Sequence, residues 1–367
     1  MSETLTTTPK QDGFMMPGEF EPHDGTWMLW PERTDIWRNG AKPAQRAFVE
    51  TATQIARFEP VTMGVSARQF KIARQMLPPH IRVIELSYDG AWARDNGPIF
   101  VVNRKGDVRG VHFDFNAWGG LEDGLYFPWD KDRLVPRKIM EIERIACYEA
   151  PMILEGGAIS VDGEGTLIGI EQCLLNPNRN PNMSRSQIES CLQEYLGIEK
   201  IIWLKEGVVG DDTGGHTDAL CIFARPGVVG LTWTDDPNCI HYDVIQDAWE
   251  RLNKSTDARG RSLEIHKIPL SDTYEVSGEL FNDFDRTDKT WPPLGDFHLE
   301  GCYTNLYLVN GGVIVPTYDM PQDQDGLQAV QNLFPDRTVV GVPSREIFLG
   351  GGMIHCITQQ QPSGLMN

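Results

Sequence analysis

One arrangement of strands and helices recurs along the chain, and it constrains the fold more than any other feature. Two apolar strands around a turn are followed by a helical stretch and then, in most units, by a single strand. The predicted hairpins lie at 99–115, 158–170, 219–233 and 305–318. Turn residues such as Asn310-Gly311-Gly312 separate the two strands of each hairpin. Such self-similarity predicts a repetitive architecture.

Each hairpin is followed by a helix. The predicted helices lie at 132–146, 184–196, 241–253 and 323–334, and single strands at 200–204, 263–268 and 338–342 follow the last three. The ends of the chain supply the pieces of a fifth unit: a strand at 26–30, a helix at 43–58, a strand at 61–65 and a C-terminal strand at 350–360. A further helix and strand are predicted at 67–76 and 81–86.

Five similar units, joined through the two ends of the chain, predict a closed ring. Radial repetition of small sheets protects strand edges and leaves a central channel. We therefore expect an α/β fold with pseudo-fivefold repeats that form a closed ring around a central axis, with the helices on the outside. The pattern predicts a single domain over residues 1–367, with 1–12 as a flexible arm and 271–300 as an inserted loop.

Composition narrows the functional classes. A formal net charge of −19 argues against a nucleic-acid partner, which would require basic patches. The sequence has no run of about 18 apolar residues and no signal peptide at its start, so we expect no membrane association and a cytoplasmic location. The 7 cysteines are scattered without a CxxC pair, which favours reduced thiols over disulfides or a zinc site.

Polar residues recur at equivalent places, just before or at the first strand of each unit. They are Asp95, Glu155, His216, Asp218, the segment 303–305, and Cys356 after the glycines 350–352. In a ring of repeats, equivalent positions converge on the axis. These side chains are therefore expected to face one another despite their separation in sequence.

Each of these residues also has an ordinary structural interpretation. Asp95 precedes Asn-Gly-Pro and is typical of a turn. Glu155 before two glycines could be a loop carboxylate, and His216 could be a hydrogen-bonded core histidine. Cys356, predicted at a strand start, could be structural, since unpaired cysteines are among the most buried residues. Their joint placement favours catalysis.

The residue types indicate a reaction on a guanidinium. Two carboxylates, Asp95 and Asp218, can bind that planar cation bidentately. The thiolate of Cys356 could then attack its carbon, with His216 as acid and base. The spacing does not match a zinc site, and a papain-type hydrolase carries its cysteine near the mature N-terminus. Either protonated His216 or the substrate cation could favour the thiolate.

Several motifs resemble those of the agmatine deiminases, from about residue 10 to residue 361. They are KQDGF at 10–14, MPGEFEP at 16–22, FNAWGGL at 115–121, LEGG at 154–157, CLLNPNRNP at 173–181, VIVP at 313–316 and HCITQQ at 355–360. The resemblance implies a five-bladed α/β propeller of the guanidine-modifying (pentein) superfamily. It also implies hydrolysis of agmatine to N-carbamoylputrescine and ammonia, in polyamine metabolism, without a metal or cofactor.

The resemblance assigns roles by position. Cys356 matches the nucleophile, which passes through a covalent thiouronium intermediate, and His216 and Glu155 match the proton-transfer pair. Asp95 and Asp218 match the guanidinium-binding carboxylates. The neighbouring tryptophans Trp92 and Trp118 are expected to contribute to substrate binding. The chain departs from the family pattern at Met353, Ser160 and Gly169.

Two alternative functions remain open at this point. A deiminase of arginine or another guanidine would use the same chemical residues. It would need a cation for the α-carboxylate of arginine, and Arg94 is the basic residue beside the motif residues. A pseudoenzyme could instead bind a polyamine without turnover, although all five chemical residues are present. Besides the small-molecule substrate, we expect the partner to be a second copy of the chain, in a homo-oligomer.

Overall fold

The computed structural model describes residues 3–276, 282–285, 287–288 and 297–364. The strands of the described residues are β1 (Thr4–Leu5), β2 (Phe14–Met15), β3 (His23–Leu29), β4 (Val61–Val65), β5 (Arg82–Glu85), β6 (Ile99–Asn103), β7 (Val108–Asp114), β8 (Cys147–Ile153), β9 (Ile159–Val161), β10 (Thr166–Ile170), β11 (Lys200–Leu204), β12 (Cys221–Arg225), β13 (Val228–Trp233), β14 (Glu264–Val276), β15 (Phe297–Cys302), β16 (Tyr307–Val309), β17 (Gly312–Thr317), β18 (Thr338–Pro343) and β19 (Gln359–Pro362).

The helices are α1 (Lys42–Ile55), α2 (Phe70–Met76), α3 (Ala93–Asn96), α4 (Gly120–Asp123), α5 (Val135–Glu143), α6 (Glu171–Leu174), α7 (Arg185–Leu196), α8 (Tyr242–Lys254), α9 (Asp323–Leu333) and α10 (Arg345–Phe348). Short 3-10 helices lie at Asn39–Ala41, Asp132–Leu134, Gly156–Ala158 and Thr217–Ala219. Within the described ranges, no helix is both long and apolar enough to span a membrane.

The strands form five sheets in the described part of the chain, with the orders β1-β8-β7-β6-β2, β11-β10-β9, β12-β13-β14-β15, β16-β17-β18 and β19-β3-β4-β5. Every sheet contains the predicted unit: an antiparallel pair whose second strand takes a parallel neighbour after a helix. The pairs β12/β13 and β13/β14, joined through α8, are one example. The fold is therefore mixed α/β, as predicted.

The ends of the chain meet in one sheet, which confirms that they complete the fifth unit. Strand β19 pairs antiparallel with β3, with Gln359 opposite Trp27. Strand β3 then pairs parallel with β4 after helix α1. The first hairpin unit also has a following strand, β8, which the sequence pattern missed; it pairs parallel with β7.

The helices pack on the sheets through one apolar stripe. Helix α8 buries Ile245, Ala248 and Leu252, at spacings of three and four residues that place them on one helical face. Burial of a side chain such as Leu252 contributes about 1.5–3 kcal/mol. Helix α7 begins with a capping box, in which the side chains of Ser184 and Gln187 bond backbone N–H groups of the first turn, and Gly197 ends the helix in a left-handed conformation.

Three sequence expectations need correction. The predicted strand 350–360 is a strand only over Gln359–Pro362, so Cys356 lies in turns and not at a strand start. Backbone hydrogen bonds within turns, such as the one from Gly351 N–H to Phe348 O, explain the difference. They take the place of the strand-to-strand hydrogen bonds that the apolar alternation suggested.

The predicted loop 271–300 is partly sheet, since β14 continues to Val276 and pairs antiparallel with β15. The segment 273–276 is rich in residues that favour strands, whereas the Asp-, Gly- and Pro-rich composition belongs to the stretch between the two strands. Residues 277–281, 286 and 289–296 lie outside the described residues.

Residues 3–12 do not form a separate arm. Strand β1 pairs parallel with β8, and the Lys10 backbone N–H donates to Glu194 O. The ion pair between Lys10 and Glu194, at 3.1 Å, adds a second attachment to α7. The polar composition of this segment suggested an arm because it contains few apolar residues. The segment is attached instead through backbone hydrogen bonds and the charged ends of side chains.

Candidate active site

The residues singled out in the sequence occupy equivalent positions in the sheets. Each lies in the short helical turn or loop that precedes the first strand of an antiparallel pair. Asp95 lies in α3 before β6, Glu155 precedes the turn before β9, His216 and Asp218 lie at the turn before β12, and Cys356 lies in the turn before β19. The structure brings all five together.

Distances between side chains define the cluster. His216 Nδ1 lies 3.8 Å from Asp95 Oδ1, and the Cys356 thiol points to Asp218 Oδ2 at 3.7 Å. Gly157 forms the floor between them: a Cβ there would lie 2.6 Å from His216 Nδ1 and 2.9 Å from oxygens of both Asp95 and Asp218. Only glycine leaves room for this arrangement.

Asp95 is fixed by donors on two sides. Its Oδ1 accepts from the Gly157 backbone N–H at 3.0 Å, and its Oδ2 accepts from Trp118 Nε1 at 3.0 Å. Trp118 reaches Asp95 from a strained backbone, since Ala117 and Trp118 have φ values of 55° and 65°. Left-handed backbone in such residues costs on the order of 1–3 kcal/mol each and is tolerated where the surroundings enforce it.

Trp92 supports the pocket from the side of the cysteine. Its ring packs so closely on Gly352 that a Cβ there would lie 2.4 Å from the indole. The same ring contacts Trp37 with a centroid separation of 5.1 Å and Trp118 edge-on at 6.2 Å. The two predicted tryptophans therefore lie in one aromatic cluster beside Asp95 and Cys356.

Asp218 is held by a buried relay that begins in the N-terminal segment. His355 donates from Nδ1 to Asp218 Oδ2 and from Nε2 to Glu19 Oε2, both at 2.8 Å. Because carboxylates only accept, donation from both nitrogens identifies His355 as an imidazolium. Glu19 also pairs with Arg94 at 3.3 Å and accepts from the Leu308 N–H.

The charges in this relay support one another. Burial and Arg94 lower the pKa of His355, but Glu19 and Asp218 raise it above its usual value overall. Burial acts to raise the pKa of Glu19, yet His355 and Arg94 bring it down to about 2. Burial likewise opposes ionisation of Asp218, and the hydrogen bond from His355 lowers its pKa. Both carboxylates are therefore ionised at neutral pH.

Glu155 has a cation of its own. Arg179 Nε donates to Glu155 Oε1 at 2.7 Å, and Arg179 Nη2 donates to Thr213 O at 2.6 Å. Both side chains of this ion pair are almost fully buried. The other oxygen, Oε2, is buried without a hydrogen-bond partner among the described residues. Glu155 therefore presents one unused acceptor to the cluster.

His216 is held as a cation by its neighbours. Burial lowers its pKa, but the Asp95 carboxylate and the adjacent Cys173 sulfur raise it well above the usual value. Burial raises the pKa of Asp95 to about 6, with Asp218 and Glu155 adding to the rise and His216 opposing it. An imidazolium beside a carboxylate can donate a proton to a leaving group.

Cys356 is a thiol in the absence of a further cation. Burial raises its pKa well above the usual value, and Asp218 and Asp95 raise it further. Asn305, from the equivalent position of a fourth unit, donates from Nδ2 to Sγ at 3.4 Å. The sequence left open whether protonated His216 or the substrate cation favours the thiolate. His216 is paired with Asp95, so the arrangement favours activation of Cys356 by a bound substrate cation.

Comparison with known proteins agrees with this geometry. The profile of the family described as Porphyromonas-type peptidyl-arginine deiminase matches residues 15–362. An agmatine deiminase of Pseudomonas aeruginosa is 53% identical over 360 residues, which cover 98% of each chain. This chain belongs to the agmatine deiminases, within that family.

A second relative and a solved structure extend the match. An agmatine deiminase of Pseudomonas fluorescens is 52% identical over 362 residues, again 98% of each chain. A structure described as the agmatine deiminase of Enterococcus faecalis catalyzing its reaction superposes with a TM-score of 0.96 at 46% identity over 100% of both chains. The resemblance inferred from the motifs is confirmed over nearly the whole sequence.

The three residues that depart from the family pattern are accommodated by contacts with their neighbours. Met353 accepts a hydrogen bond at Sδ from Tyr318 at 2.8 Å, and Ser160 Oγ accepts from the Phe223 N–H at 3.0 Å. Gly169 packs against Leu174, where a Cβ would approach to 2.6 Å. Of the three, only Met353 acts on the cysteine, because a backbone hydrogen bond from it moderates the pKa of Cys356.

Sequence reasoning missed the roles of several residues at the site. The motifs at 16–22 and 173–181 contain three such residues: Glu19, Cys173 and Arg179. The motifs themselves do not indicate which side chains point to the cluster. A charge argument could have found Arg179, since several carboxylates predicted on one buried axis require cations beside them. Arg94 was singled out, and its guanidinium is used internally: it pairs with Glu19 and donates to Gln360 Oε1 at 2.7 Å.

We predict that Cys356 prefers cationic alkylating agents. Chloroacetamidine carries an amidinium that Asp95 and Asp218 can bind, whereas chloroacetamide is neutral and of similar shape. At pH 7.5 the ratio of alkylation rates, amidine over amide, should be at least about tenfold higher at Cys356 than at half-buried Cys239, because bound positive charge lowers the barrier to ionising the thiol. Time-resolved peptide mass spectrometry measures both cysteines in one sample.

Asp95→Asn is the matched control for this prediction, because it keeps the shape and removes one charge. The preference at Cys356 should shrink toward that at Cys239. Equal ratios at the two cysteines in the unsubstituted protein would contradict the electrostatic description of the site.

Proposed function

We propose that the chain hydrolyses agmatine to N-carbamoylputrescine and ammonia, the reaction that the names of its relatives indicate. One observation carries the choice of agmatine over arginine. The two arginines buried beside the cluster, Arg94 and Arg179, are already paired with Glu19 and Glu155. Arg179 also donates to Thr213 O and Arg94 to Gln360, so an α-carboxylate would have to compete with these contacts, and the site suits a guanidine without that group.

Substrate binding prepares the nucleophile. Asp95 and Asp218 bind the guanidinium, and Glu155 accepts from it through the unused Oε2. The positive charge next to Sγ lowers the pKa of Cys356, and the thiol proton passes to solvent. Trp118 holds the Asp95 carboxylate in position by donating a hydrogen bond from its indole N–H. Trp92 packs against the glycine-rich turn that carries Cys356.

Ammonia leaves in the first half of the reaction. The thiolate of Cys356 adds to the guanidinium carbon, and a sulfur–carbon bond forms. Imidazolium His216 gives its proton to one nitrogen, the carbon–nitrogen bond breaks, and ammonia departs. An S-alkylthiouronium remains on Cys356, and His216 is now neutral.

Water completes the reaction in the second half. Neutral His216 takes a proton from water as its oxygen adds to the same carbon, and Glu155 supports this proton transfer. The hydroxyl proton then passes to solvent, the carbon–sulfur bond breaks and the thiolate of Cys356 is expelled. N-Carbamoylputrescine is released, and His216 is again protonated.

We further propose that the five sheets close into a five-bladed α/β propeller that forms a single domain over residues 1–367. Support comes from the shared unit in every sheet and from the pairing of β19 with β3, which joins the two ends of the chain. A cytoplasmic location and assembly into a homo-oligomer stay predictions from the sequence.

We predict that agmatine is turned over far more efficiently than arginine. Burial of an unpaired α-carboxylate costs several kcal/mol, so kcat/KM should differ by more than about a hundredfold. Ammonia release measures both rates, and mass spectrometry identifies N-carbamoylputrescine or citrulline as the product. Benzoyl-arginine amide, measured in the same assay, tests whether an arginine within a peptide is a substrate.

The alternatives give different results in this experiment. Comparable kcat/KM for agmatine and arginine would indicate a general guanidine deiminase and contradict the proposal. Saturable agmatine binding without ammonia release would indicate the polyamine-binding pseudoenzyme. Inactivity of Cys356→Ser shows that any measured release depends on the proposed nucleophile.

We predict an acidic limb in the pH profile of kcat/KM for agmatine, with a midpoint near pH 6. Asp95 has a pKa raised to about 6, so its charge is present above that pH and is lost as the pH falls through it. Below the midpoint kcat/KM should fall about tenfold per pH unit, because the profile of kcat/KM reports the free enzyme. The limb in kcat should lie at lower pH, since the bound guanidinium stabilises the carboxylate.

Asp95→Asn tests this assignment directly. The variant should have low kcat/KM at all pH values and lack the limb near pH 6. An unaltered limb in Asp95→Asn would assign it to another group and contradict the proposed role of Asp95.

A further inference from the structure

A set of possible metal ligands lies at one side of the cluster. The nucleophile Cys356 is not a member of this set. Single donor atoms of Glu155, Cys173 and His216 all lie within 4.8 Å of one another in the described part of the chain, and all three residues are buried. Cys173 comes from the short helix α6, so three separate segments contribute. Spacing in the sequence could not reveal this set, because none of the three residues is close to another along the chain.

The donor atoms are available. Glu155 Oε2 and both ring nitrogens of His216 are buried without hydrogen-bond partners among the described residues. Cys173 is completely buried. Thiolate, imidazole and carboxylate are typical zinc ligands, and three protein ligands leave a fourth position open. Tetrahedral zinc bonds place such atoms roughly 3.5 Å apart, so small movements of side chains would complete the site.

Charge balance also permits a divalent ion. The ligands must be deprotonated, so binding releases one proton from imidazolium His216 and one from the Cys173 thiol. The two charges of the ion replace these two protons, and the net charge of the buried cluster is unchanged. Arg179 stays on Glu155 Oε1 and leaves Oε2 for the ion.

We propose that Glu155, Cys173 and His216 form an inhibitory site for Zn²⁺ or a similar thiophilic divalent ion. The inference rests on the proposed function, because it assigns inhibition to the capture of the two proton-transfer groups. A bound ion occupies the lone pair of His216 and the oxygen of Glu155 that would face the guanidinium. Inhibition should therefore be relieved by EDTA and opposed by high agmatine.

Cobalt spectroscopy tests the site without requiring turnover. The Cys356→Ser variant removes the nucleophile as a competing ligand, and Co²⁺ is added to it without oxygen. Ligation by Cys173, which supplies the thiolate of the proposed ligand set, should give a sulfur-to-cobalt charge-transfer band at one equivalent. The double variant Cys173→Ser/Cys356→Ser should lack the band, and Cys239→Ser/Cys356→Ser should keep it. Thermal unfolding checks that each variant is folded.

Zn²⁺ affinity gives a second, quantitative measurement. Competition with a chromophoric chelator should show at least about tenfold weaker binding when Cys173 is replaced by Ser or, as a further variant, Ala. The inhibition constant for Zn²⁺, taken relative to each variant's own activity, should rise by a similar factor. A charge-transfer band that survives loss of Cys173, or no thiolate band in Cys356→Ser, would overturn the site.

The two proposals fail in different ways. Cobalt ligation by Cys173 in a protein that releases no ammonia would uphold the ligand set and overturn the proposed function. Agmatine turnover with no cobalt band would do the opposite. Loss of activity on EDTA treatment that is restored by Zn²⁺ would contradict an inhibitory ion.

Discussion

Buried charge that must be balanced is the constraint on which the site depends. Among the described residues, four carboxylates of the site are paired with four cations; the carboxylates are Glu19, Asp95, Glu155 and Asp218, and the cations are Arg94, Arg179, His216 and His355. The resting thiol of Cys356 adds no charge to this balance. A guanidinium that enters adds one positive charge, and ionisation of the thiol offsets that charge. Substrate binding therefore favours the thiolate, which explains how a thiol with a raised pKa can serve as a nucleophile.

Much of this arrangement could be predicted from the sequence. The repeated hairpin–helix–strand pattern identified four hairpins and the pairing of the chain ends, because alternation and turn residues are local signals. Convergence of Asp95, Glu155, His216, Asp218 and Cys356 followed from their equivalent positions in the repeat. The structure places each of them in a short turn before the first strand of an antiparallel pair.

The rest depended on contacts that local patterns do not encode. The turn around Cys356 was mistaken for a strand because apolar alternation does not report which backbone groups are hydrogen-bonded. The sequence left the direction of the Arg94 side chain open, and the ion pair with Glu19, 75 positions earlier in the chain, sets it. The approach of Cys173 to His216 is likewise a tertiary contact. Residues between β14 and β15 had a loop composition, while the strands on either side carried the residues that favour sheets.

A covalent intermediate on Cys356 is the central claim, and its direct detection is the sharpest test. Rapid quench during agmatine turnover, followed by peptide mass spectrometry, should place an adduct with the mass of agmatine less ammonia on the peptide that contains Cys356. The other 6 cysteines of the 7 in the chain serve as internal controls. Cys356→Ser should be folded, bind agmatine and form no adduct, because an alcohol is a far poorer nucleophile without a dedicated base. An adduct on a different cysteine, or substantial turnover by the serine variant, would contradict the account.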